Sequence, residues 1–315
     1  MILSSAKIRR DIRHKLSEKF PDETFIFCNG MNEAEEHLLT AEILITYGED
    51  LTDELIEKAA NLKWIMVISA GLDRMPFEAI RKKGILVTNA RGIHKTPMAE
   101  YTIAMMLQVA RQTKVLIAHE QERIWDRRVK MTEISGKTIG ILGTGAIGCE
   151  IARLAKAFHM RTLGFNRSGH QADFIDEIYG KETLSELLKE SDFLISVLPA
   201  TPETYNFLTM DHFRQMKASS VFINIGRGTT VNEEDLLKAL KDGMIAHAVL
   251  DVFKKEPLHF DHPFWKMENV TVTPHLSGIS PQYQERAITL FEENLKKYRN
   301  GEQNFINIIP LERGY

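Results

Sequence analysis

A short apolar run, TIGIL at 138–142, leads straight into Gly143, Gly145 and Gly148 with G-x-G-x-x-G spacing, and the chain continues as the apolar-periodic segment AIGCEIARLA. A strand, a glycine turn and a helix in that order restrict the fold more than any other feature of the chain. Gly143 suits the tight turn, Gly145 lets backbone approach a pyrophosphate, and Gly148 lets helix and strand pack closely. The N–H groups at the helix start then face the phosphates. These residues point to a dinucleotide-binding unit; an ordinary glycine-rich turn is the bland alternative.

The same alternation runs through all 315 residues. Apolar, partly β-branched runs at 24–28, 43–46, 64–68 and 85–88 read as parallel strands, separated by charged helix-favouring segments at 6–20 and 52–60, with Thr52 placed to cap the second. Residues 96–121 contain no breaker and open with Thr96 at the cap position and Pro97 in the first turn, so one long interdomain helix is expected. A second series of strand-like runs follows at 138–142, 161–165, 193–198, 221–225, 245–250 and 270–273. Six strands make a complete doubly wound sheet. A last helix to about 299 and the tail NFINIIP have no later strands to join, so they should return to the first domain. The fold class is therefore α/β: a Rossmann-type doubly wound parallel sheet in 97–284, and a discontinuous second domain from 1–96 and 285–315.

Lysine plus arginine total 40 against 43 acidic residues, a net charge of −3, so no basic field exists to hold nucleic acid or an anionic membrane surface. The longest uncharged stretch, 269–284, contains two prolines and a histidine and cannot span a bilayer. Met1-Ile2-Leu3 runs at once into Ser4, Lys7, Arg9 and Arg10, which leaves no room for a leader's apolar core; a cytoplasmic protein is expected. Cys28 and Cys149 form neither a CxxC pair nor a disulfide or metal-ligand pattern, and both read as buried structural thiols. No metal is expected.

The second strand of the glycine-motif domain ends Gly164-Phe165-Asn166-Arg167-Ser168, with no carboxylate at its tip to accept a ribose hydroxyl. A neutral Asn166 beside Arg167 and Ser168 removes repulsion toward a 2′-phosphate and offers donors, which favours NADP(H) with NAD(H) possible. Three further strands end in Asn224-Ile225-Gly226-Arg227-Gly228, in Asp251 to Pro257 with Glu256, and in Thr273-Pro274-His275-Leu276-Ser277-Gly278. Strand carboxyl ends face the ligand crevice in such sheets. Singly, each charge has a bland surface reading; together Arg227, Glu256 and His275 form a catalytic set.

In order along nearly the whole chain, Ser69-Ala70-Gly71-Leu72-Asp73, Asn89-Ala90-Arg91-Gly92, Met98-Ala99-Glu100, the glycine motif, Leu198-Pro199-Ala200-Thr201-Pro202-Glu203-Thr204 and the three strand-end segments resemble the D-isomer-specific 2-hydroxyacid dehydrogenases. The resemblance implies reversible hydride transfer between a nicotinamide and a small 2-oxo acid, between a Rossmann domain and a flavodoxin-like substrate domain. It implies that Arg227 binds the substrate's carboxylate and carbonyl, that His275 is the acid/base, and that Glu256 hydrogen-bonds His275. Backbone N–H groups of Ala70 and Gly71 would hold the substrate carboxylate. Thr96, Gly143, Gly145, Ala146, Ile147, Gly148, Asn166, Arg167, Ser168, Leu198, Pro199, Thr204, Ile225, Gly226, Asp251, Ser277 and Gly278 would line the cofactor, with Asp251 near its carboxamide.

These roles make chemical sense. A planar guanidinium can donate to a carboxylate and an adjacent carbonyl at once, and a histidine beside a carboxylate can protonate the alkoxide that hydride arrival creates. The segment after the second strand looks most like the glyoxylate/hydroxypyruvate reductases. Glu256 stands where formate dehydrogenases of the superfamily carry glutamine, and with the sequence running to Tyr315 an allosterically controlled phosphoglycerate dehydrogenase with a C-terminal regulatory extension is not expected. An NAD-linked D-lactate or phosphoglycerate type enzyme is the alternative of the same chemistry; a dinucleotide-sensing corepressor-like scaffold is the rival from another class. Relatives form homodimers through the cofactor domain, which places Trp125 either in that contact or at the neighbour's active site.

Overall fold

The computed structural model describes residues 1–69, 72 and 74–311. The chain divides into two compact units, Met1–His94 with Ser280–Tyr315, and Lys95–Ile279. The sequence reading put these boundaries at 96/97 and 284/285. The observed division falls earlier because the helix that opens the second unit begins at Lys95, and because the Arg9 guanidinium donates to the Pro281 carbonyl (3.2 Å) and the Arg9 backbone N–H donates to Gln284 Oε1 (2.9 Å). Those bonds tie 281–284 to the first unit.

Strands β1 (Ile2–Ser4), β2 (Phe25–Phe27), β3 (Ile43–Thr46), β4 (Trp64–Val67) and β5 (Leu86–Asn89) form the first unit's parallel sheet in the order β2-β1-β3-β4-β5. That is the flavodoxin-like order. The strand second from its edge, β1, is not evident in the sequence: it has three residues, and their short apolar run carries no recognisable alternation. Both faces are covered, so alternate residues of one strand serve different cores. Ile43 and Ile45 join one apolar cluster while Leu44 joins the other, and Trp64 and Met66 are split from Ile65 and Val67 in the same way.

The helix Tyr283–Arg299 supplies one of these layers, with Phe291 and Tyr298 stacked on the fully buried Trp64 at 5.3 and 5.6 Å between ring centres. The tail then pairs with β5 through an antiparallel bridge between Thr88 and Ile308, as the absence of later strands required.

The second unit carries β6 (Thr138–Leu142), β7 (Arg161–Phe165), β8 (Glu177–Tyr179), β9 (Phe193–Ser196), β10 (Val221–Asn224), β11 (His247–Leu250) and β12 (Val270–Val272) in the order β12-β11-β10-β9-β6-β7-β8. Read from β8, this is the Rossmann order extended by one strand, with its switch point between β6 and β9. The sheet has seven strands where the sequence reading gave six. The extra one, β8, is a three-residue edge strand whose EIY sequence is half polar.

The expected single helix over 96–121 is two, Lys95–Ala110 and Thr113–Glu122. Gln112 between them takes a left-handed conformation (φ 55°), and its side-chain amide donates to the Val109 carbonyl at 3.0 Å. The Ala110 carbonyl, which a continuing helix would bond, instead accepts Thr132 N–H at 2.8 Å. Neither partner shows as a breaker in the sequence. The first helix buries Ala99, Ile103, Met106 and Ala110 against the core that includes Ile151, Ala152 and Ala155. The second buries none of its residues, and no helix of the described residues is long and apolar enough to cross a membrane.

At the N-terminal end of β11, burial beside Lys114 pushes His247 down to about 4. Its Nε2 lies 3.0 Å from Thr271 Oγ1. Because the unfolded imidazole takes up its proton near 6.5 and the folded one does not until about pH 4, the unfolded state binds more protons between those values. Stability should therefore fall as pH drops through that window, by on the order of 3 kcal/mol. Denaturant melts of the unmodified protein and His247→Gln at pH 7 and pH 4.5 measure it. A equal loss in both proteins would assign the effect to other groups.

Candidate active site

Every loop at the carboxyl end of the second sheet, except the one after β8, carries part of the expected set. After β6, Gly143 adopts φ +103°, and a Cβ there would stand 3.2 Å from the Val197 carbonyl oxygen in the loop after β9. The two loops at the switch point thus pack closely at residue 143, whose positive φ also favours glycine. Gly145 is different: its φ of −80° suits any residue, and nothing lies within 4 Å of a Cβ built on it. No internal constraint demands glycine there, and the space beside it is open. It caps the helix Ala146–Ala157, whose free N–H groups are an anion-binding feature. Ala146 is exposed, Ile147 half-buried and Gly148 buried, so the first two stand on the open side of this turn. The turn fits a dinucleotide pyrophosphate.

After β7, Asn166 organises a compact turn. Its Nδ2 donates to Thr144 Oγ1 (2.8 Å) and to the His170 carbonyl (2.9 Å), while its Oδ1 accepts Gly169 N–H (2.7 Å) and the Ser168 hydroxyl (3.1 Å). The two groups expected as neutral donors to a phosphate are therefore used inside the turn, on which Arg167 is exposed. Thr144, overlooked in sequence, fastens the turn to the glycine loop; a hydroxyl residue at an x position of the motif was the available signal. Across the loop after β9, Glu203 is held below the usual carboxylate range by its own backbone N–H and the Thr201 hydroxyl, with Arg167 nearby adding to the effect. In that loop Leu198 is buried, Pro199 exposed, and the Thr204 hydroxyl closes the turn onto the Pro199 carbonyl at 2.5 Å.

The remaining loops follow β10, β11 and β12, which are hydrogen-bonded neighbours. Arg227 is half-buried and donates to the Gly226 carbonyl at 2.9 Å. A Cβ on the next residue, Gly228, would lie 1.9 Å from the Phe253 carbonyl carbon, so the arginine loop rests directly on the loop that bears Glu256. Phe253 N–H donates to Glu256 Oε1 at 3.0 Å, and Glu256 Oε2 is 2.8 Å from His275 Nδ1. The carboxylate thereby orients the imidazole and leaves Nε2 as the ring's outward nitrogen. His275 is half-exposed, as a group that meets a ligand must be.

Some expected positions sit differently. The Ile225 side chain is buried in the core, so only its backbone reaches the loop. Asp251 has no accessible surface, and its carboxylate accepts Leu276 and Ser277 N–H groups, each at 2.9 Å; it holds the histidine loop from beneath rather than facing outward. Ser277 is buried and Gly278 half-buried. Thr96 lies inside its helix, one residue past the start, and not at the cap. Cys149 is half-buried, not buried, with Sγ 3.3 Å from the Thr144 carbonyl; Cys28 is buried. Ala70 and Gly71 lie outside the described residues.

Residues 103–277 match the family model described as D-isomer specific 2-hydroxyacid dehydrogenase, NAD binding domain. A glyoxylate reductase from Korarchaeum cryptofilum is 34% identical over 282 residues, covering 86% of this chain and 84% of the relative. A D-3-phosphoglycerate dehydrogenase from Methanocaldococcus jannaschii is 35% identical over 287 residues, 88% of this chain, which spans only 54% of that protein's length. Among solved structures, an NADPH-dependent glyoxylate/hydroxypyruvate reductase from Sinorhizobium meliloti, in complex with NADP and sulfate, superposes with a TM-score of 0.82 at 26% identity, covering 100% of this chain and 99% of its own. With the Rossmann sheet, the glycine turn and the strand-end loops already in place, these matches establish that the chain belongs to the D-isomer-specific 2-hydroxyacid dehydrogenases, a family of oxidoreductases.

Proposed function

We propose that the protein reduces a small 2-oxo acid of the glyoxylate or hydroxypyruvate type to its D-2-hydroxy acid, and catalyses the reverse reaction, with NADP(H) preferred over NAD(H). The observation that carries this reading is the His275–Glu256 pair at 2.8 Å, standing on the same sheet edge as Arg227 and the glycine turn. When bound, the nicotinamide supplies or accepts the hydride. Arg227 binds the substrate carboxylate and polarises the carbonyl. His275 delivers a proton to the carbonyl oxygen as charge develops there, and Glu256 holds the ring in the orientation that transfer needs.

The NADP(H) preference is supported by the Asn166 turn, which presents Arg167 with no carboxylate at the β7 tip, and by the NADP bound to the Sinorhizobium reductase. The resemblance to a D-3-phosphoglycerate dehydrogenase supports a second reading, a phosphorylated 2-oxo acid as substrate. NADPH oxidation followed at 340 nm with glyoxylate, hydroxypyruvate, pyruvate and phosphohydroxypyruvate decides between them. Fastest turnover with an unphosphorylated acid supports the first reading, and preference for the phosphorylated one the second. No turnover with any acid would contradict both and favour a non-catalytic scaffold.

Assembly belongs to the same proposal: the protein acts as a homodimer through its cofactor-binding unit. Supporting this, Val115, Leu116, Ile117, Ile124 and Met131 are exposed apolar residues of one segment, and Trp125 is 92% exposed. An indole left that open is a poor solvent-facing group and a good contact residue. Light scattering at micromolar concentration should give twice the chain's 36.0 kDa. A monomer would remove the proposal.

A further inference from the structure

His275 stands at φ 51°, in the left-handed region where a residue with a Cβ is strained, so the surrounding loop must hold it there. The His275 N–H points to two carbonyls, Asp251 at 2.8 Å and Thr273 at 3.1 Å. The next two N–H groups go to the Asp251 carboxylate. That carboxylate has a third partner, Thr273 Oγ1, at 2.6 Å. Beyond it, Tyr101 Oη on the helix Lys95–Ala110 lies 2.6 Å from the same threonine oxygen.

Counting protons fixes the direction of this chain. A carboxylate only accepts, and a threonine hydroxyl has one proton to give. Thr273 therefore donates to Asp251, and its oxygen must accept from the Tyr101 phenol. Burial pushes Tyr101 up to about 12, so the phenol keeps its proton throughout the neutral range. The sequence Tyr101 to Thr273 to Asp251 thus runs from a core-packed helix, through the residue following β12, to the backbone N–H groups on the C-terminal side of His275. The imidazole itself is half-exposed and rests on Glu256, so its aim depends on the backbone beneath it.

We infer that Tyr101 and Thr273 are positioning residues: their hydroxyls hold the Asp251 carboxylate in register, and through it the strained turn that presents His275. This rests on the reading of His275 as the proton donor. Neither residue meets the reacting atoms, and the effect is one of geometry, in which small displacements of a proton donor carry large kinetic penalties.

The test uses Thr273→Val, which keeps the shape and removes the hydroxyl, Thr273→Ser, which restores it, and Tyr101→Phe, which removes only the outer donor. Turnover with NADPH and glyoxylate is measured in H2O and D2O, beside NADPH binding and melting temperature. Thr273→Val should lose about tenfold or more in kcat and show a larger solvent isotope effect, because a misplaced donor makes proton transfer more rate-limiting. Thr273→Ser should recover most of the rate, and Tyr101→Phe should fall between. A merely structural role predicts lower melting temperatures with kcat and isotope effect unchanged below the melt, and that result in Thr273→Val and Tyr101→Phe overturns the inference. Should Thr273→Val fail to fold, Tyr101→Phe alone decides on the same two readouts. An unmodified protein without turnover overturns the underlying reading and this inference with it, whereas an active one matched by Thr273→Val overturns the inference alone.

Discussion

His275→Ala is expected to keep the fold and bind NADPH while losing roughly 10²- to 10⁴-fold in kcat, the span associated with a general acid. The ring is half-exposed, so its removal opens no core cavity and stability should stay close to that of the unmodified protein. The Glu256 counterpart needs more care. Its Oε1 also accepts Phe253 N–H, so Glu256→Ala would disturb the loop as well as the histidine, whereas Glu256→Gln keeps an oxygen for Phe253 and removes the charge. The glutamine variant should fall between the unmodified enzyme and His275→Ala. Steady-state kinetics at saturating glyoxylate and NADPH measure the series, and near-normal turnover in folded His275→Ala would remove the residue from the mechanism.

Arg167→Ala is expected to lower kcat/KM with NADPH by roughly tenfold to a hundredfold and to leave NADH use nearly unchanged, since a charge-assisted hydrogen bond to a phosphate is worth about 1.5 to 3 kcal/mol. In the unmodified protein NADPH should be preferred by at least about tenfold on the same arithmetic. The structure also shows why this substitution is cleaner than one at Asn166. An aspartate there keeps the acceptor for Gly169 but loses both donors, to Thr144 and to the His170 carbonyl, so it would loosen the turn as well as repel a phosphate. Kinetics with both cofactors check the arginine directly. Equal losses for NADPH and NADH would mean that Arg167 supports the fold of the site and not the 2′-phosphate.

What the sequence displays, and what it hides, follow from how local each feature is. The glycine turn, the apolar strands and the strand-end positions of Arg227, Glu256 and His275 are set by near neighbours, so spacing alone locates them. β1 and β8 are three residues each and earn their place by pairing with strands distant in sequence. The break at Gln112 depends on Thr132 reaching back to Ala110, a contact no window of residues contains. Hydrogen-bond allegiance was hidden in the same way. Asn166, Ser168 and Asp251 are polar residues at the expected positions, but only three dimensions reveal that their groups are used to build loops. Thr144, Thr273 and Tyr101 drew no attention as single hydroxyls, and they matter through the partners the fold brings to them.

The most direct test of the central claim is to follow the label from NADPH carrying deuterium at both C4 positions into the product formed from glyoxylate. Hydride transfer at this site predicts glycolate with one deuterium on C2, in an amount equal to the NADPH consumed, and its near-disappearance in His275→Ala. Unlabelled glycolate, or NADPH consumed without glycolate, would contradict the account.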